Sequence, residues 1–194
     1  MNKGFDALYY FKILLDSLHA VKMKLVSYDD GGKDKYVNER AFAYELYRQL
    51  ANRLYNDVVE VEKWAIDRPE IVVNAELYKC VGSDNKTDRK GRKFPDIVIH
   101  GGQHNTENQL VVCEIKVKAS EAEIEEDLKK LYDYLDIEKM YGHPYPLAVF
   151  INVGPIKTFE VNLKKSMLKL GKSKGRLFCI SYDDGLVNSI KEQA

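Results

Sequence analysis

The stretch that decides the fold runs from Phe94 to Lys118 and reads FPDIVIHGGQHNTENQLVVCEIKVK. Two apolar runs flank a polar loop, which is the pattern of a β-hairpin. Each run carries an acid where an apolar residue is expected, Asp96 in the first and Glu114 in the second. Lys116 follows Glu114 by two residues. Side chains alternate faces along a strand, so Glu114 and Lys116 point one way while Cys113, Ile115 and Val117 point the other. In the first run Asp96, Val98 and His100 share a face, opposite to Ile97 and Ile99. A hairpin symmetric about Asn105 sets Asp96 across from Glu114 and Val98 across from Val112. A loop shift of about two residues would keep that parity.

Two carboxylates opposed in a half-buried sheet repel each other, and burial makes the repulsion more costly unless something neutralises them. Lys116 supplies one positive charge. A hard divalent cation would compensate more fully, and magnesium is held by one or two carboxylates with water and substrate phosphate completing its shell. The alternative for each element alone is bland. A Pro-Asp pair opens many strands, and a Glu-x-Lys is an ordinary solvated edge pattern. It is their union in one apolar hairpin that points to a metal site.

Outward from the hairpin, IVVNAELYK (71–79) reads as a preceding strand and VGSDNKTDRKGRK (81–93) as a basic loop. After it, SEAEIEEDLKKLYDYLDIEKM (120–140) has the marks of an amphipathic helix. Ser120 is its N-cap, Glu123 takes the capping-box position, and Ile124, Leu128, Leu131 and Leu135 form its buried stripe. PLAVFINVG (146–154) is an apolar strand, followed by a helix around 159–170 and a last strand, RLFCISY (176–182). Upstream, residues from about 5 to 25 suggest one helix, YDDGGKDK (28–35) a loop, and 38 to about 55 a second helix capped by Asn38. The expected order is α-α-β-β-β-α-β-α-β. An antiparallel meander followed by a helical crossover predicts a mixed sheet with helices on its faces.

The hairpin FPDIVIHG followed by VVCEIKVK resembles the PD-(D/E)XK nuclease superfamily, the restriction endonuclease-like fold. Pro95 and Asp96 match the PD, and Glu114, Ile115 and Lys116 match the ExK. The family core is α-β-β-β-α-β, a mixed central sheet flanked by helices. The same order is read here from about residue 38 to residue 153, within a single domain spanning 1–194. The fold class expected is thus α/β, with an extra N-terminal helix and a C-terminal α-β extension. The resemblance implies that Asp96 and Glu114 bind Mg2+, with Mn2+ as the alternative, and that the main-chain carbonyl of Ile115 is a further ligand. It implies that Lys116 orients or helps deprotonate the attacking water and stabilises charge on the phosphate.

Many members of that family carry a further glutamate on the helix before the strands. Glu39 falls near the centre of the apolar arc of Phe42, Leu46, Leu50 and Leu54, where it either caps the helix or faces the site; Glu45 lies off that arc. Glu39 is the first choice, Glu45 the second, and Glu76 a candidate if its side chain faces the same way. Two basic segments are candidate phosphate contacts: Lys86, Arg89, Lys90, Arg92 and Lys93, and the run from Lys164 to Arg176. His100 and His104 flank a glycine pair and would be solvated loop residues or metal ligands.

The whole composition bounds the rest. The 194 residues carry 45% hydrophobic and 31% charged residues at zero formal net charge. That describes one sizeable globular core and excludes a globally basic nucleic-acid coat. Three widely spaced cysteines argue against a disulfide framework and a zinc ribbon. The N-terminal stretch is interrupted by Asp6, Lys12 and Asp16, unlike a signal peptide, and no run is apolar enough for a membrane span. The expectation is a cytoplasmic Mg2+-dependent nuclease acting on nucleic acid, with DNA the expected substrate and homodimerisation open. The alternative is a catalytically inactive module of the same fold that binds nucleic acid or a protein partner.

Overall fold

Apolar runs buried on both sides organise the molecule around one sheet. The computed structural model describes residues 6–29, 35–62, 71–75, 95–101, 109–140, 142–171 and 176–191. In chain order the helices are α1 (Ala7–His19), α2 (Met23–Val26), α3 (Glu39–Glu62), α4 (Glu121–Leu135) and α5 (Ile156–Leu170). The strands are β1 (Ser27–Asp29), β2 (Lys35–Val37), β3 (Ile71–Ala75), β4 (Ile97–Gly101), β5 (Gln109–Val117), β6 (Leu147–Val153), β7 (Arg176–Asp183) and β8 (Leu186–Lys191). Six of them form one sheet in the order β3-β4-β5-β6-β7-β8.

The first three strands of that sheet are an antiparallel meander, and β5-β6-β7 run parallel through α4 and α5. The expected mixed sheet and its crossovers are therefore present. Two crossovers that step in the same direction lay their helices on one face. There α4 and α5 pack on Val98, Val112, Ala148, Phe150, Leu177 and Cys179. The opposite face, with Ile97, Ile99, Val111, Cys113, Ile115, Val149 and Ile151, is covered by α1 and α3. Strands β4 and β6 are buried along their whole length, as strands covered on both faces must be.

Sequence pattern accounts for the helices that hold this sheet. In α3, Phe42, Leu46, Leu50 and Leu54 are all buried, and Asn38 Oδ1 accepts the Ala41 N–H at 2.9 Å as the N-cap. In α4 the capping box of Ser120 and Glu123 is complete, and Ile124, Leu128, Leu131 and Leu135 are buried. Truncating one such leucine to alanine costs roughly 2–5 kcal/mol. Cys113 and Cys179 are buried, and neither is part of a disulfide. None of the described helices is long and apolar enough to cross a membrane.

The structure corrects three expectations. The first helix does not run on to residue 25. It ends at His19, and α2 begins after a break. The Tyr182 hydroxyl donates to the Val21 carbonyl at 3.0 Å, an acceptor that a continuing helix would use for its own backbone. The stretch expected as a plain loop at 28–35 contributes its ends to the β1-β2 pair, in which Tyr28 stacks on Tyr36. A final strand, β8, follows β7 through a two-residue turn at Asp184-Gly185, where φ is 45° and 89°. An Asp-Gly pair suits that left-handed turn, and it was the available signal for the hairpin.

Candidate active site

Register and parity assemble the site. Ile97 pairs with Cys113, Val98 with Val112 and Ile99 with Val111, so the symmetric hairpin register holds. It slips by one residue between Ile99 and His100. Asp96 stands just outside this ladder. Its N–H donates to the Cys113 carbonyl at 3.0 Å, and its Oδ2 accepts the Ile115 N–H at 2.6 Å. The Asp96 carboxylate is thereby tied to the backbone immediately after Glu114. Val98 and Val112 face α4, so strand alternation turns Glu114 and Lys116 toward α4 as well.

Glu114 is only 2% exposed, and its Oε1 has no hydrogen-bond partner. Burial, together with the negative charges of Asp96 and Asp127, pushes its carboxyl up to about 9; Lys130 and Lys116 only partly oppose this. Burial also raises Asp96, to about 6, against the pull of the Ile115 N–H and the Lys116 charge. These are the electrostatics of acids held together at a cost, short of compensating positive charge.

Lys116 is gripped from the other layer. Glu39, in the first turn of α3, accepts from Lys116 Nζ at 3.1 Å and from the Val117 N–H at 3.3 Å. Burial works against the ammonium, but the bond to Glu39 and the charges of Asp127, Glu39 and Asp96 carry its pKa above the ordinary lysine value. Asn38 does the capping, and Glu39 is left to face Lys116. With its side chain 43% exposed, Glu39 sits at the rim and not at the centre of the buried face. The second choice, Glu45, is not at the site. It is held within α3 by Arg48 and Gln49, and the Arg48 bond keeps its carboxyl below the usual range. Glu76 lies outside the described residues.

Two members of the cluster, Asp127 and its partner Lys130, were missed by sequence reasoning. Asp127 of α4 is 1% exposed, with its Oδ1 bonded to Lys130 Nζ and its Oδ2 3.9 Å from Lys116 Nζ. Its signal was an acid inside an apolar stripe: it follows Ile124 by three residues and directly precedes Leu128.

The cluster therefore holds four carboxylates, Glu39, Asp96, Glu114 and Asp127, against two ammonium groups, Lys116 and Lys130. Lys130 also lies 4.0 Å from the exposed Glu126, so the ionised cluster carries more negative than positive charge, an excess that a bound cation would reduce. No three His, Cys, Asp or Glu side chains among the described residues meet as a ready-made metal cage. Mg2+ does not need one, since it keeps most of its waters and takes one or two carboxylates. The orphaned Glu114 oxygen beside Asp96 fits that demand.

The other candidates divide. Lys169 bridges Glu121 and Glu125 of α4, and Lys165 lies 3.7 Å from Glu121, so part of the second basic segment is matched to acids of the same protein. His100 is buried in β4. The loop at 81–93 and His104 lie outside the described residues. Compared with known proteins, the chain matches no family model, no curated protein and no solved structure.

Proposed function

We propose that this protein is a Mg2+-dependent phosphodiesterase of the PD-(D/E)XK type that cleaves nucleic acid, with DNA the expected substrate. The observation that carries this reading is Glu114: an almost fully buried carboxylate with an unpartnered oxygen, set beside Asp96 and two residues before Lys116. The sequence from α3 through β3, β4, β5 and α4 to β6 supports it, because it repeats the element order of that family.

In this reading Asp96, Glu114 and the Ile115 carbonyl would hold the cation. The cation, when held there, would make a coordinated water more acidic and stabilise charge on a phosphate. The Asp96–Ile115 hydrogen bond fixes one carboxylate against β5, so little ordering remains to be done when the site fills. In the metal-free protein the bond to Glu39 and the charge of Asp127 favour the ammonium form of Lys116, which suits it to a donor role. The ammonium can then neutralise charge that builds on the phosphate.

The second reading, a binding module of the same fold without catalysis, draws on the lysines. Lys116 and Lys130 already pair with Glu39 and Asp127. The two readings separate in a cleavage assay on single- and double-stranded DNA and RNA with Mg2+ or Mn2+, run with Asp96→Ala and Lys116→Ala. Metal-dependent cutting that both substitutions lower steeply, to a residual rate that can still be measured, is expected. A wild-type protein that binds no divalent metal by calorimetry and cuts nothing would leave the binding module standing.

A further inference from the structure

We propose that Asp127 is a positioning residue for Lys116, holding its ammonium group from the α4 side while Glu39 holds it from the α3 side; its use in cleavage rests on the nuclease reading. The nearest alternative for an acid in an apolar stripe is a helix-surface charge, and the burial excludes it: Asp127 is 1% exposed. A buried carboxylate is costly unless compensated, and the position between Ile124 and Leu128 would accept an apolar residue. Asp127 is compensated on one side only. Oδ1 takes the Lys130 ammonium, whereas Oδ2 lacks a hydrogen bond and lies 3.9 Å from Lys116 Nζ.

The charges thus alternate from one layer to the other as Lys130, Asp127, Lys116 and Glu39. Lys116 has a four-carbon stem with many rotamers, and without opposed partners its ammonium would spread over them. Two carboxylates on separate helices, one on each face of the sheet, restrict it to the end of β5 beside Glu114. The contact with Asp127 is an ion pair longer than a hydrogen bond, so Lys116 keeps donor capacity for an incoming phosphate oxygen. Lys130, one turn on along α4, supplies the counter-charge on the other side of Asp127.

Two measurements test this. The first is amine labelling with acetic anhydride, read residue by residue by mass spectrometry, with exposed Lys129 as the internal reference. Asp127→Asn is expected to speed labelling of Lys116 several-fold and to leave Lys129 unchanged. The charge-neutral pair Asp127→Asn/Lys130→Gln gives the same readout if the single change weakens the fold. The second is Mg2+-dependent cleavage in a double-mutant cycle. Asp127→Asn is expected to lower kcat by about 10²-fold with KM unchanged, the usual scale for a misplaced group. In a Lys116→Ala background it is expected to add nothing. Additive losses, or unchanged labelling of Lys116, would overturn the positioning role whatever the cleavage rate. A wild-type protein that cuts nothing would overturn the nuclease reading, and the role in cleavage with it, while the labelling result still decides whether Asp127 holds Lys116.

Discussion

Two glutamates are buried among the described residues, and they behave in opposite ways. Glu45, 8% exposed on α3, gives both its oxygens to Arg48 and Gln49, and its carboxyl is held below the usual range. Glu114, 2% exposed on β5, keeps one oxygen without a partner and is pushed up to about 9. Low exposure by itself therefore does not mark a candidate site acid, although deeper burial is the main cause of the rise at Glu114. The separation comes from unmet demand: a satisfied carboxylate has nothing to offer a cation, whereas an orphaned one beside like charges does.

The comparison can be broken in four ways. The largest expected effect is on catalysis. Glu114→Ala should reduce Mg2+-dependent cleavage by about 10³-fold or more, worth ~4 kcal/mol of barrier. Glu45→Gln should leave kcat unchanged in the same assay. Next comes metal binding. Mg2+ at about a hundred times its Kd should raise the unfolding free energy of wild type by ~2.7 kcal/mol. It should not do so for Asp96→Asn/Glu114→Gln, as read by denaturant melts with and without chelator.

The third effect is on pH dependence without metal. The folded-state value of Glu114, about 9, lies above its ordinary 4.5. Between those values the unfolded chain has released the proton and the folded chain retains it. The stability contributed by Glu114 is therefore full below about 4.5, declines as pH rises and is lost by about 9. Asp96 adds a fall of the same sign between 3.8 and about 6. Glu114→Gln in chelator should flatten this decline and raise stability at pH 8 relative to wild type, because an amide stays neutral when buried without having to hold a proton. Denaturant midpoints from pH 5 to pH 9 measure it, and a steeper decline in the variant would reverse the assignment. The smallest effect belongs to Glu45→Gln. It should lower Tm by no more than about 4 °C, and its carboxylate, held low, should add no change in stability across that pH range.

Much of the architecture was legible. Strand parity, the hairpin register at Ile97 to Ile99 and the capping box at Ser120 all follow from local rules that leave marks at fixed spacings. The same rules single out Asp96, Glu114 and Lys116 as candidates, because a charge in an apolar strand is conspicuous by itself. They were insufficient for Asp127. An acid among the many acids of α4 is inconspicuous, and only its position on the stripe betrays it. The break after His19 left no conspicuous local mark; beyond it the Val21 carbonyl is taken by the hydroxyl of Tyr182, far along the chain.

The sequence by itself determined which faces of β4 and β5 are apolar, which residues break that pattern and where α3 and α4 begin, because alternation, helical period and capping act over a few residues. Only the tertiary structure decided which acids meet. It put Glu39 on Lys116 and left Glu45 to Arg48, and it brought Asp127 across from α4 to the end of β5. The physical reason is that electrostatic demand depends on distance and burial in three dimensions. Neither is encoded at any single position of the chain.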